Sequence, residues 1–252
     1  MKIMLINPNT TQYMTDSILK CAQKYASPGT ELYAVTASFG VSSVECYVDE
    51  YLAAPAVLRE VMRGEGMGMD AYLICCFGDP ALQAARELTE KPVLGIAESA
   101  IAAAKMIAPY FSVVSVLDRS VKVTADVVNA YGAAPFCRSI RSTGLSVLDF
   151  GKDPKRGLAA LAEQSRLAVA EDKAECVLLG CAGFVDFVEE LQRELGVPVL
   201  DGVSPAVRFA EALAGLGLKT SKVRTWMSPE KKTYTGYRFP DMNQNENEEE
   251  LR

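Results

Sequence analysis

Along the chain, short runs of consecutive apolar residues alternate with longer stretches in which apolar positions return every three or four residues. Runs this short read as strands buried on both faces, and the longer stretches as helices with one apolar side. The pattern predicts strands at 3–6, 32–36, 71–75, 93–94, 112–116, 138–142, 176–179 and 199–200. It predicts helices near 11–25, 48–63, 80–89, 98–107, 120–131, 154–171, 184–194 and 204–214. Each strand is followed by a helix, which is the order of an α/β protein with parallel strands, because parallel neighbours need a crossover and a helix supplies one.

The second half of the chain repeats the first. DAYLICC at 70–76 matches ECVLLGC at 175–181, each with an acidic residue six positions before its last cysteine. KPVLG at 91–95 matches VPVLDG at 197–202, and the prolines follow those cysteines by 16 and 17 residues. The expected architecture is therefore two pseudo-symmetric lobes, each a mainly parallel sheet flanked by helices, with the active site in the cleft between them. Residues 1–108 and 205–225 form the first lobe, completed by the C-terminal helix, and residues 109–204 the second. Residues 226–252 are an extension whose end, NQNENEEELR at 243–252, has almost no apolar content and reads as a disordered, solvated tail.

Composition narrows the function. With 252 residues and 49% hydrophobic content the chain can fill a real core. A net charge of −6 gives no basic stripe for a nucleic acid. The apolar start ends at Asn7 and Pro8, too short for a signal peptide or a membrane span, so a cytoplasmic protein is expected. Seven cysteines, an odd number lying mainly in apolar runs, are expected as reduced thiols. There is no histidine, which removes the Ser-His-Asp triad, the Cys-His pair and the HExxH zinc site. No CxxC, GxGxxG or Walker A motif is present, and neither metal nor cofactor is expected.

Acid-base chemistry then falls to the remaining groups, and the repeat singles out Cys76 and Cys181. Ligands of open parallel sheets bind beyond the carboxyl ends of the strands, where both cysteines fall. Cys21, Cys75, Cys137 and Cys176 read instead as small core residues. After Cys76 come Phe77, Gly78, Asp79 and Pro80, with Asp79 suited to cap a helix and Pro80 to its first turn. A helix N-terminus there would lower the thiol pKa. After Cys181 come Ala182 and Gly183, a similar turn. Two thiols facing each other across a planar ligand can take a proton from one face of a carbon and return one to the other. The enolate formed needs fixed donors, and the backbone N–H groups of residues 7–11, 77–79 and 182–183 could supply them. The run Asn7-Pro8-Asn9 suits a turn as well as a ligand contact.

With these residues the chain resembles the aspartate/glutamate/hydantoin racemase superfamily, and within it the hydantoin and allantoin racemases. The resemblance spans the chain to about Thr225 and rests on INPNTT at 6–11, GVSSVE at 40–45 followed by Asp49 and Glu50, CFGDP at 76–80, VLGIAES at 93–99, RSIR at 138–141 and GCAGF at 180–184. It implies a cofactor-independent racemase with Cys76 and Cys181 as acid and base, and with Asn7, Asn9 and Thr10 holding the ligand. Amino-acid racemases of the superfamily have Asn-Thr and Thr-Glu after the two cysteines. Phe77-Gly78 and Ala182-Gly183 stand there in this chain, which implies a neutral ring in place of a free amino acid. Arylmalonate decarboxylases keep only the later cysteine, so two cysteines imply proton exchange. Val41 stands where the family usually has proline, at the border of the pocket. The substrate implied is a 5-monosubstituted hydantoin, or alternatively allantoin, the enzyme a homo-oligomer like its relatives. A non-catalytic binding protein on the same scaffold would have no need of both thiols.

Overall fold

The first apolar run is unbroken because it has no solvent face. Ile3 and Leu5 point to one side of their sheet and Met4 and Ile6 to the other, and all four are fully buried. The structure is a computed structural model that describes residues 1–233. Its first half runs β1 (Lys2–Asn7), α1 (Gln12–Tyr25), β2 (Glu31–Thr36), α2 (Tyr47–Met67), β3 (Ala71–Ile74), α3 (Leu82–Leu88), β4 (Val93–Gly95) and α4 (Ile96–Ile107). The second runs β5 (Phe111–Ser115), α5 (Asp118–Ala130), β6 (Cys137–Ser142), α6 (Val147–Lys152), α7 (Pro154–Ala170), β7 (Cys176–Leu179), α8 (Val188–Leu195), β8 (Val199–Leu200) and α9 (Val203–Gly215).

The strands form two parallel four-stranded sheets of the same order, β2-β1-β3-β4 and β6-β5-β7-β8. On one side of the first sheet, Ile3, Leu5 and Leu73 pack with Ile18 of α1 and Val203 and Val207 of α9. On the other, Met4, Ile6 and Ile74 pack with Val57 and Val61 of α2. The last helix thus returns to the first sheet, against α1, α4 and β3. Each sheet carries helices on both faces, and the apolar runs read from sequence all fall on strands.

Hydrogen bonds put the repeat in register. Cys75 N–H donates to Ile6 O and Gly180 N–H to Val114 O, both at 2.8 Å. One residue further on, Cys76 and Cys181 therefore occupy equivalent places beyond β3 and β7.

Three elements depart from the expectation. The α6 helix was not legible, since six residues are too few to display a period; Ser146 and Asp149 start it with a capping box. The helix expected at 184–194 opens as a tight 3₁₀ turn, Ala182–Phe187, before α8. Neighbouring residues of that turn serve different cores, Phe184 with Phe150 in the second lobe and Val185 with α1 and α9 in the first. The helix expected at 80–89 starts only at Leu82, and Asp79 does not cap it. Among the described residues no helix is long and apolar enough to cross a membrane. The expected tail at 243–252 lies outside them.

Candidate active site

Cys76 and Cys181 line one cavity, and the rest of its wall comes from both halves of the chain. The first half supplies Asn9, Met14, Val44, Glu45, Cys46 and Glu50, and the second Ser115, Val116, Ser120, Thr124 and Val147. The free space is about 50 Å³. A single water-sized group needs roughly 10–15 Å³ on the same measure, so the cavity has the scale of one small ring. Two carboxyl groups and no lysine or arginine line it.

The register of the strands explains the convergence of the thiols, and local hydrogen bonds fix their surroundings. Gly183 N–H donates to Cys181 Sγ at 3.4 Å, and the Gly78 N–H acts on Cys76 in the direction that lowers its pKa. Burial outweighs this help. It pushes Cys181 up to about 11, with Glu45 adding to the rise, and it pushes Cys76 well above the ordinary thiol range, with the charges of Glu50, Cys181 and Asp79 acting in the same direction. The expectation that a helix N-terminus lowers the Cys76 pKa is therefore corrected. The helix begins six residues later, too far for a dipole that fades within a turn, whereas desolvation acts directly. The mutual repulsion of the two thiolates favours a state in which one sulfur is charged and the other carries a proton.

Of the other residues expected at the site, Asn9, Phe77, Gly78 and Ala182 line the cavity with the cysteines. Asn7, Thr10, Val41, Asp79 and Gly183 are not part of its wall. Asn7 lies behind it: its Nδ2 donates to Asn9 Oδ1 at 3.1 Å and to Thr15 Oγ1 at 3.0 Å, and its Oδ1 accepts Asn9 N–H. Thr10 N–H donates to Val41 O at 2.9 Å, tying the loop around Val41 to the turn after β1. Asp79 is 6% exposed and points at α4, where it accepts N–H bonds from Ala97 and Glu98 at 3.1 and 2.9 Å and the Tyr131 hydroxyl at 2.6 Å. Its backbone and that of Ala81 lie in the left-handed region, with φ of 46° and 60°, and those three bonds hold the turn there.

The backbone donors expected for an enolate are mostly taken. Thr10, Thr11, Asp79 and Gly183 N–H groups all have partners within the protein. Asn9 Nδ2 is freer, its only hydrogen-bond partner among the described residues being Met14 Sδ at 3.5 Å.

The expectation missed Cys46, Glu45, Glu50 and the hydroxyls. Ser115 and Ser120 share a bond of 3.0 Å, and Thr124 donates to Ser115 at 3.5 Å. Ser115, one past the Val114 partner of Gly180, sits where Asn7 sits in the first lobe. That equivalence is a signal the repeat contained. Glu45 and Glu50 stood within the motif at 40–50, but no spacing rule turns a carboxylate just before a helix, or one in its first turn, toward a distant sulfur.

A family model described as Asp/Glu/Hydantoin racemase matches residues 3–210. A hydantoin racemase of Pseudomonas sp. (strain NS671) is 50% identical over 236 residues, covering 94% of this chain and 95% of the relative. A hydantoin racemase of Rhizobium meliloti is 43% identical over 238 residues, covering 94% and 99%. Among solved structures, an allantoin racemase from Klebsiella pneumoniae superimposes with a TM-score of 0.91 at 41% identity, covering 93% of this chain and 96% of that one.

Proposed function

The chain belongs to the Asp/Glu/hydantoin racemase family and is a racemase, and on that premise we propose that it interconverts D- and L-5-monosubstituted hydantoins by proton transfer at C5 between Cys76 and Cys181. The observation that carries this reading is the placement of two register-equivalent thiols, one from each half, on the wall of a single small cavity. The acidic lining without a cation fits an uncharged ring better than a free amino acid, whose carboxylate it would repel.

In the productive state one sulfur is a thiolate and the other a thiol. The thiolate takes the C5 proton from one face, and the C–H electron pair moves into the C4 carbonyl to give an enolate. The electron pair returns to C5 as the second thiol delivers its proton to the opposite face. The product leaves with inverted configuration, and the two sulfurs have exchanged roles, ready for the other enantiomer. Asn9 Nδ2 is the freest donor on the cavity wall for the enolate oxygen, because Ser120 donates to Leu117 O at 2.6 Å, and the Ser115 and Thr124 hydroxyls are bonded within the same group. Gly78 and Gly183 N–H groups stabilise whichever sulfur is charged. Asn7, Thr10 and Asp79 act by positioning Asn9, the loop at Val41 and the turn after Cys76.

Identities of 42–50% to hydantoin racemases favour a 5-substituted hydantoin, and the match to an allantoin racemase at 41% identity keeps allantoin in the substrate panel. The test is incubation of optically pure 5-substituted hydantoins and allantoin in deuterated water without added metal or cofactor. Loss of rotation with deuterium at C5 is expected for at least one of them. Retained rotation and no deuterium across the panel would overturn the reading.

A further inference from the structure

The two carboxyl groups on the cavity wall are not equivalent. Glu45 has a structural partner, since its Oε1 accepts the Val147 N–H at 2.7 Å and so ties the loop before α2 to the first residue of α6. Glu50, one turn into α2, has none: among the described residues no hydrogen bond falls on its side chain, although it is half-buried and lines the cavity. Its position is built in. A Cβ on Gly78 would lie 2.0 Å from Glu50 Oε1, so the absence of a side chain two residues after Cys76 is what admits the carboxyl beside that thiol. Burial, with the carboxylates of Asp126 and Asp49, pushes Glu50 up to about 7. The carboxyl is thus a half-buried acceptor that no donor of the protein reaches, and a bound molecule with an N–H would supply one.

We propose that Glu50 is the specificity-determining residue of this site, its carboxyl accepting one ring N–H of the substrate next to Cys76. The proposal rests on the hydantoin reading and sharpens it. The substrate must be an uncharged ring with a free N–H on the Cys76 side, because an N-alkyl group in that place would meet the carboxylate and bury it unpaired. Glu50 thereby also fixes which ring edge lies beside Cys76, and so directs C5 between the sulfurs.

The experiment compares one 5-substituted hydantoin with its N1-methyl and N3-methyl analogues, followed by deuterium exchange at C5, in the wild-type chain and in Glu50→Leu and Glu50→Gln. The wild type should lose about 10- to 100-fold in kcat/KM on one methyl analogue, the scale of a hydrogen bond to a charged group. E50L should lose a similar factor on the unmethylated ring, chiefly in KM, with no further loss on that analogue. E50Q keeps a carbonyl acceptor and should recover part of the loss, which separates recognition from a folding defect. Unchanged kinetics in E50L, or an equal loss on all three rings, would overturn the proposal, the second outcome marking a role in handling the Cys76 proton. A wild-type chain inert toward every hydantoin would instead sink the parent reading.

Discussion

A thiol is chosen for this chemistry because its ordinary pKa lies near neutrality, yet burial moves both candidate thiols up, Cys181 to about 11. Below a raised pKa the reactive thiolate is the minor form, and its share grows tenfold for each pH unit until the pKa is reached. The sign for activity follows: kcat/KM should rise with pH from 7 to 9 with a slope near one on a logarithmic plot, more steeply below 7, where Glu50 also takes up a proton, and fall toward zero in acid. A steady-state pH profile with a non-ionising hydantoin measures it. A flat profile over that range would mean that a thiolate is already formed at neutral pH, against the desolvation of both sulfurs. Sequence exposed which residues these are, through the repeat. Their pKa was not readable there, because it depends on how much protein surrounds each sulfur, and residues far apart in the chain supply that protein.

At the scale of elements, the two lobes solve one problem with different residues. The helices α4 and α9 follow equivalent strands and each needs an acceptor at its N-terminus. In the second lobe Asp201 provides it, accepting Ser204 N–H at 2.8 Å. The equivalent position in the first lobe is Gly95, and a Cβ there would lie 2.1 Å from the Asp79 carboxyl carbon, so a carboxyl reaching over from the turn after Cys76 fills that place. Replacing Asp79 by Ala should remove three hydrogen bonds and cost about 2–4 kcal/mol of stability, Tyr131→Phe about 1 kcal/mol, and the double variant less than their sum. Urea unfolding of the three variants checks this, and strict additivity would mean that the Tyr131 contact contributes nothing. Asp79 read as the cap of the helix directly after it, since in sequence the next helix is the natural one to cap. Its role on α4 follows from a turn whose left-handed residues no local pattern announces.

At the scale of the molecule, the cavity exists because two equivalent lobes put equivalent strand ends together. If each thiol serves one face of C5, removing either should stop inversion while leaving half of the proton traffic. Cys76→Ser and Cys181→Ser should each lose about 10²- to 10⁴-fold in racemisation, the usual weight of one acid-base group. Each should still exchange deuterium into one enantiomer with retention, and the two variants should prefer opposite enantiomers. Chiral chromatography with mass detection of C5 deuterium reads both quantities. The same enantiomer preferred by both variants would break the assignment of one thiol to each face.

Much of this was written in the chain itself. Short apolar runs are strands because a strand covered on both faces favours apolar side chains, and their alternation with amphipathic stretches points to parallel sheets. The internal repeat names Cys76 and Cys181, because equal local sequence folds to equal strand ends. Tertiary structure alone decided the rest: that Glu50 reaches the cavity past Gly78, that Ser115 and Thr124 line it, that Asp79 turns to α4, and that the surrounding protein raises the pKa of both sulfurs. Those facts depend on contacts between residues distant in sequence, and local pattern carries no information about which distant side chain will arrive.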